Sequence, residues 1–293
     1  MSKIQEALKK LQKGSPPRPD PKVVASIGGK FRNDRSAIPV ARRKKVTIEG
    51  EKHHIDQEDL IRGGLLAPPD LGISVADEFR RIKRPILENA LRKGPEAPDQ
   101  KNVILITSAL PHAGKTFCSV NLAVSISLER ELHVLLVDAD VVKQHISREF
   151  GLAKRRGLID LLVEDSQQIS DCLVRTDIND IQILPAGTQH SRATELLASE
   201  RMSTFITELS SRYSDRIILM DSPPLLATSE ALALADQVGQ IVLVVESGET
   251  THQALMETIE LLNTEKATNI ILNKSRYSMQ SGYYGGGYGY DGH

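Results

Sequence analysis

The 293-residue chain reads as an α/β protein with a mostly parallel sheet covered by helices on both faces. Three observations lead there. From residue 103 to 273 apolar runs alternate with helical patterns, as in a chain of βαβ units. The first run, Val103-Ile104-Leu105-Ile106, is followed by Ala109-Leu110-Pro111-His112-Ala113-Gly114-Lys115-Thr116 and then by a helical pattern from Phe117 to Leu128. A strand, a tight loop ending Gly-Lys-Thr and a helix are the setting of a phosphate-binding P-loop. Two further runs end in carboxylates: Leu135-Leu136-Val137 precedes Asp138-Ala139-Asp140, and Ile217-Ile218-Leu219-Met220 precedes Asp221-Ser222-Pro223-Pro224.

Composition sets the frame. No apolar stretch approaches the roughly 20 residues of a membrane-spanning helix, and no signal peptide opens the sequence. Cys118 and Cys172 form no metal or redox spacing, so a reducing cytoplasm is the expected compartment. Residues 1–50 hold thirteen Lys/Arg and four Asp/Glu, a net of +9, although the whole chain sums to −1. Such a basic arm suits anionic lipid, or is simply solvated.

In chain order, Ser2 and Gln5 make a possible capping box, and Ile4, Ala7, Leu8 and Leu11 recur at helical spacing. A basic amphipathic helix is expected over 1–14, folded on a partner or frayed. A flexible linker is expected over 15–71, Pro/Gly-rich and basic in its first part, with Pro68-Pro69 at its end. His53 and His54 have poor geometry for one metal and are expected on the surface. Residues 77–84 form a helix that Pro85 ends or kinks, and Glu78, Arg81 and Arg84 share one side of it. Gly94-Pro95-Glu96-Ala97-Pro98 is a loop into the main domain, expected over 72–275.

Within that domain the expected strands are Val103–Thr107, His133–Val137, Ile181–Leu184, Arg216–Met220, Gln240–Val245 and Asn269–Leu272. Helices are expected at 115–130, 157–164, 192–212, 229–235 and 251–265. Ligands of such sheets sit beyond the C-terminal strand ends. There the backbone N–H groups of Pro111–Phe117 (proline excepted) and the Lys115 ammonium suit nucleotide phosphates. Thr116, Asp138 and Asp221 suit Mg²⁺, which takes few carboxylates together with phosphates and waters. Lys115, Asp138 and Asp140 are the expected catalytic groups. One of Asp138 and Asp140 would hold metal and the other accept a proton, and the sequence does not divide those roles.

This combination resembles the bacterial tyrosine kinases of exopolysaccharide systems, relatives of the Min/Par P-loop ATPases. Their Walker A loop looks like Pro111-His112-Ala113-Gly114-Lys115-Thr116. Their Walker A′ run looks like Val137-Asp138-Ala139-Asp140, and their Walker B run like Asp221-Ser222-Pro223-Pro224. Gly157-Leu158-Ile159-Asp160-Leu161-Leu162, Leu184-Pro185-Ala186-Gly187, Glu195-Leu196-Leu197 and Leu272-Asn273-Lys274 are also similar to family landmarks, with Asn273 near the base. Glu78-x-x-Arg81-x-x-Arg84 resembles the motif that joins subunits into a ring. The resemblance implies ATP and Mg²⁺, a membrane activator of the chain-length-determinant type, a tyrosine phosphatase and no nucleic acid. It also implies a cytoplasmic protein held at the inner face of the membrane through that partner.

Three departures stand out. His112 and Ala113 replace the usual Gly-Glu, Val142 stands where the family has Arg (with Lys143 beside it), and Leu110 replaces the charged Min/Par lysine. The last favours the kinase branch.

After Lys274 the composition changes. Tyr277, Tyr283, Tyr284, Tyr288 and Tyr290 lie among glycines in a tail expected over 276–293, while Tyr213 is the one other tyrosine. The tail is flexible by composition. The resemblance makes these tyrosines autophosphorylation sites presented to a neighbouring subunit, and docking of the tail a second ring contact. A Min/Par-like ATPase and a non-catalytic nucleotide-gated scaffold are the alternatives.

Overall fold

A computed structural model of the chain describes residues 52–92, 94, 100–164, 166–212, 215–262 and 266–275. The expected helix over 1–14, most of the linker, Tyr213 and the tyrosine tail lie outside the described residues.

Among the described residues seven strands form one sheet: β1 (Val103–Ser108), β2 (His133–Asp138), β3 (Val174–Arg175), β4 (Gln182–Leu184), β5 (Arg216–Asp221), β6 (Gln240–Glu246) and β7 (Ala267–Asn273). Their order is β3-β4-β2-β5-β1-β6-β7, parallel throughout except for β3 against β4. β1 and β5 are buried at every residue, which explains their unbroken apolar runs. The two-residue β3 is too short to leave a periodic pattern, and it was not expected.

Each sheet face carries its own core. On one, Val137, Leu158, Ile218 and Leu243 pack with helices that include Glu200–Arg212 and Ser229–Gln237. On the other, Ile104, Ile106, Leu136 and Val242 pack with Phe79, Ile86, Leu122 and Ile126. The single helix expected over 192–212 is two, Ala193–Leu197 and Glu200–Arg212, the Ser199 hydroxyl bonding at the break to Leu196 O.

The flexible linker expected through residue 71 gives way earlier to packed structure. Helix α1 (Gln57–Arg62) is capped by Asp56, whose carboxylate accepts from the N–H groups of Glu58 (2.9 Å) and Asp59 (3.2 Å). Ile55, Leu60 and Leu65 are buried in the second core. Asn121 ties the same stretch down, accepting from Ala67 N–H and donating to Leu65 O. His54 is exposed beside Asp177, while the half-buried His53 ring bonds Phe150 O at 3.0 Å.

Helix α2 (Pro69–Ala90) continues past Pro85 rather than ending at it. An interior proline removes a hydrogen bond and costs about 3 kcal/mol or more. Burial of Phe79, Ile86 and Ala90 outweighs this, a large apolar side chain contributing about 1.5–3 kcal/mol. Lys83 adds a polar anchor, donating to Ser125 O at 2.6 Å and pairing with Glu129 at 2.7 Å. Pro85 itself faces solvent.

Candidate functional site

Strand register brings the two carboxylate-terminated strands together. β2 pairs with β5 so that Asp138 stands opposite Asp221, while Asp221 also pairs with Ile106 of β1. Between β1 and helix α3 (Lys115–Ser127) runs the loop 109–114. Within it His112 and Gly114 take left-handed backbone conformations, φ 68° and 90°. Glycine does so freely, and histidine only at a cost.

The loop offers a set of donors that an anion could use. Among the described residues, the backbone N–H groups of His112 through Phe117 donate to no protein acceptor. They form a cup at the positive end of a 13-residue helix. The Lys115 side chain is buried, and its ammonium makes no hydrogen bond with the described residues. Burial pulls its pKa below the usual lysine range, and Asp221 and Asp140 oppose that shift. A phosphate here would supply the acceptors that all of these donors lack.

Behind the loop lie the carboxylates. Asp221 accepts from the Thr116 hydroxyl (2.8 Å, on Oδ2) and from Ser119 (2.8 Å, on Oδ1). Burial raises its pKa to about 6 against the pull of those two hydrogen bonds. Asp138 is fully buried. Its Oδ2 accepts from both the N–H (2.8 Å) and the hydroxyl (2.6 Å) of Ser147, while Oδ1 has no partner. Burial pushes this carboxyl up to about 7. Asp140 is a little more open, and its Oδ1 accepts from Lys143 N–H. Val142 is exposed, and so is the neighbouring Lys143.

A divalent cation fits this donor set. The Thr116 oxygen and the unpartnered Asp138 Oδ1 are hard oxygens, as Mg²⁺ prefers. Among the described residues no group of three or more His, Cys, Asp or Glu side chains could hold a metal without help. Phosphate oxygens and water would complete the shell.

Ser119 and Ser147 were not anticipated. Ser119 lies three residues after Thr116 on the same helix, so helical spacing was a usable signal. Ser147 had none, because the turn that folds Gln144–Ser147 back under β2 is visible only in three dimensions. Its hydroxyl also accepts from Ala186 N–H at 2.9 Å, joining Asp138 to the loop after β4. Asn273, expected near the base, donates its amide to Ala113 O at 2.9 Å. Glu78, Arg81 and Arg84 are exposed along one side of α2. A cleft of about 590 Å³ is lined by residues such as Leu161, Ile169, Arg201 and Phe205 and includes none of the P-loop or carboxylate residues.

A family model described as an AAA domain matches residues 101–273. Tyrosine-protein kinase YwqD of Bacillus subtilis is 31% identical over 190 residues, 64% of this chain and 78% of that protein. The chain belongs to the AAA domain family, in its bacterial tyrosine-kinase branch.

The crystal structure of the VpsO kinase domain has a TM-score of 0.57 at 30% identity, covering 68% of this chain and 95% of that one. Tyrosine-protein kinase Wzc of Salmonella typhimurium is 31% identical over 260 residues, 86% of this chain but 34% of Wzc. The chain thus spans about a third of the length of that relative. Membership makes the loop around Gly114 and Lys115 part of a nucleotide-binding domain. None of the described helices is long and apolar enough to cross a membrane.

Proposed function

We propose that the chain is an ATP-dependent protein-tyrosine autokinase that phosphorylates the tyrosine cluster of its own C-terminus between subunits and regulates exopolysaccharide synthesis or export. The observation that supports this best is the grouping of an unsatisfied N–H cup, the buried Lys115, and paired carboxylates at the ends of β2 and β5. The organisation around it is a basic helix over 1–14, a linker running to about residue 52, a kinase domain to 275 and a tail from 276. The linker boundary is earlier than sequence alone suggested, because residues 53–66 pack on the domain.

In the proposed reaction a phenol oxygen of Tyr277, Tyr283, Tyr284, Tyr288 or Tyr290 bonds to the γ-phosphorus as the bond to the β,γ-bridging oxygen breaks, releasing ADP. The Pro111–Phe117 loop orients the phosphates, and Lys115 spreads the charge that develops on them. The phenol proton passes to a carboxylate at the end of β2. Asp140 takes that role in this proposal, its Oδ1 accepting from Lys143 N–H in the structure, while Asp138 keeps its unpaired Oδ1 for the metal. Thr116 and Asp138 are the proposed metal-side oxygens, with Asp221 holding the Thr116 hydroxyl in place. Mg²⁺, when bound, offsets phosphate charge.

Subunits assemble in this proposal through Glu78, Arg81 and Arg84 together with tail docking. A membrane protein of the chain-length-determinant type activates the kinase and holds it at the inner membrane face, and a tyrosine phosphatase reverses the modification. Wzc and YwqD, both named tyrosine-protein kinases, support the chemistry.

Incubating the purified protein with Mg²⁺-ATP and mapping phosphate by mass spectrometry tests the proposal. Phosphotyrosine within 277–290 is expected, and Lys115→Met removes it. Free phosphate without phosphotyrosine would indicate an ATPase cycle instead, and neither product a nucleotide-gated scaffold.

A further inference from the structure

The C-terminal end of β7 is fastened to the phosphate loop by two consecutive residues. Asn273 donates its amide to Ala113 O at 2.9 Å, and Lys274 donates its ammonium to His112 O at 2.8 Å. Lys274 is itself held by Glu246 at the end of β6, at 2.7 Å, and Glu246 is mostly buried. Ser247 N–H in turn donates to Asn273 O at 2.9 Å, so the ends of β6 and β7 are locked together.

The two acceptors are carbonyls of adjacent loop peptides. In a trans peptide the C=O and the following N–H point in opposite directions. Drawing His112 O toward Lys274 turns Ala113 N–H the other way. Drawing Ala113 O toward Asn273 does the same for Gly114 N–H. Both of these N–H groups lack a protein acceptor among the described residues. The loop also needs such help more than a glycine-rich one would, because His112 sits at φ 68° with a full side chain.

We propose that Lys274, anchored by Glu246 and acting with Asn273, is a positioning residue that aims the Ala113 and Gly114 N–H groups at the nucleotide's phosphates. It acts through the loop backbone, in place of the conformational freedom that His112 removes. The proposal rests on the nucleotide-binding role of the loop.

Equilibrium titration of the purified full-length chain with a fluorescent ADP analogue tests this. Lys274→Met weakens binding about tenfold, whereas Lys274→Arg, which keeps a charged donor, stays within about threefold of wild type. Glu246→Ala, which frees Lys274 from its anchor, shifts Kd in the same direction as Lys274→Met. Adding His112→Gly to Lys274→Met recovers most of the loss, because glycine holds the loop conformation without strain. Wild-type affinity in both Lys274→Met and Glu246→Ala overturns the clasp and leaves the nucleotide site standing. Loss that neither arginine nor His112→Gly restores also overturns it, since that pattern marks a merely structural lysine. Failure of the wild-type chain to bind the analogue overturns the nucleotide reading itself.

Discussion

The Thr116 hydroxyl donates to Asp221 Oδ2 at 2.8 Å, and this bond makes one unit of the P-loop helix and the end of β5. Ser119 donates its hydroxyl to the other oxygen of the same carboxylate at 2.8 Å, with Lys115 O 3.0 Å from the same hydroxyl as the alternative acceptor. Ser119→Ala therefore leaves a fully buried carboxylate oxygen without its donor. A bare buried acceptor costs about 1–3 kcal/mol. Urea denaturation should show a loss of that size, and nucleotide affinity should fall because Asp221, which holds the Thr116 hydroxyl, loses one of its two side-chain anchors.

The carboxyl of Asp138 gives the nucleotide-free protein a pH signature. Its folded pKa, about 7, lies above the ordinary aspartate value of 3.8 because burial disfavours the charge. The folded state then holds more protons than the unfolded state between about pH 4 and pH 7. Stability falls as pH rises across that window. Asp221, raised to about 6, adds in the same sense. Asp138→Asn should flatten the slope and stabilise the nucleotide-free protein at pH 8 by something on the order of 1–3 kcal/mol. Thermal melts from pH 4.5 to 8 provide the measurement, and an unchanged slope would refute the assignment.

Gly157 lies against the loop after β4 with no room for a side chain. A Cβ there would stand 2.0 Å from Pro185 O and 2.6 Å from Gly187 N, both backbone atoms that cannot swing aside. Asp160 braces the same turn by accepting from Gly157 N–H (2.8 Å) and Thr188 N–H (3.0 Å). Gly157→Ala should destabilise the fold by about 2 kcal/mol or more. The melting temperature reads this directly.

The frame of the site was legible in the sequence because it is written in contiguous residues. Val103–Ile106, Val134–Val137 and Ile217–Met220 are apolar without interruption, and the residues that follow them carry the chemistry. The loop–helix junction at Gly114-Lys115-Thr116 is equally local. What escaped depends on contacts between distant segments. The Pro/Gly composition of 15–45 coloured the reading of 52–71, although Asp56 ahead of Leu60 was a usable capping cue. Pro85 looked like a helix end because a propensity argument weighs the lost hydrogen bond and not the buried Phe79, Lys83 and Ile86 around it. Ser147 and Lys274 become meaningful only once the chain has folded back by a turn or across the sheet.

The exposed row Glu78, Arg81 and Arg84 separates from Lys83, which the same helix turns inward. Replacing the three exposed residues by Ala should leave the melting temperature within about 1 kcal/mol equivalent, because none is buried. In the proposed ring it should also reduce the assembled mass measured by light scattering, with nucleotide affinity unchanged. Loss of binding alongside loss of mass would place the row in the site rather than at an interface.

Lys274 is separated from Tyr277 by Ser275 and Arg276 alone. In the proposed kinase, the fastening of the phosphate loop and the start of the acceptor segment thus share one short run of sequence. That adjacency sets where such a protein can be cut and rejoined. A foreign tail spliced on after residue 275 leaves the loop's fastening native, whereas one joined at residue 272 replaces the fastening along with the tyrosines. In this chain a tail exchange should therefore be modular on one side of a three-residue boundary and disruptive on the other.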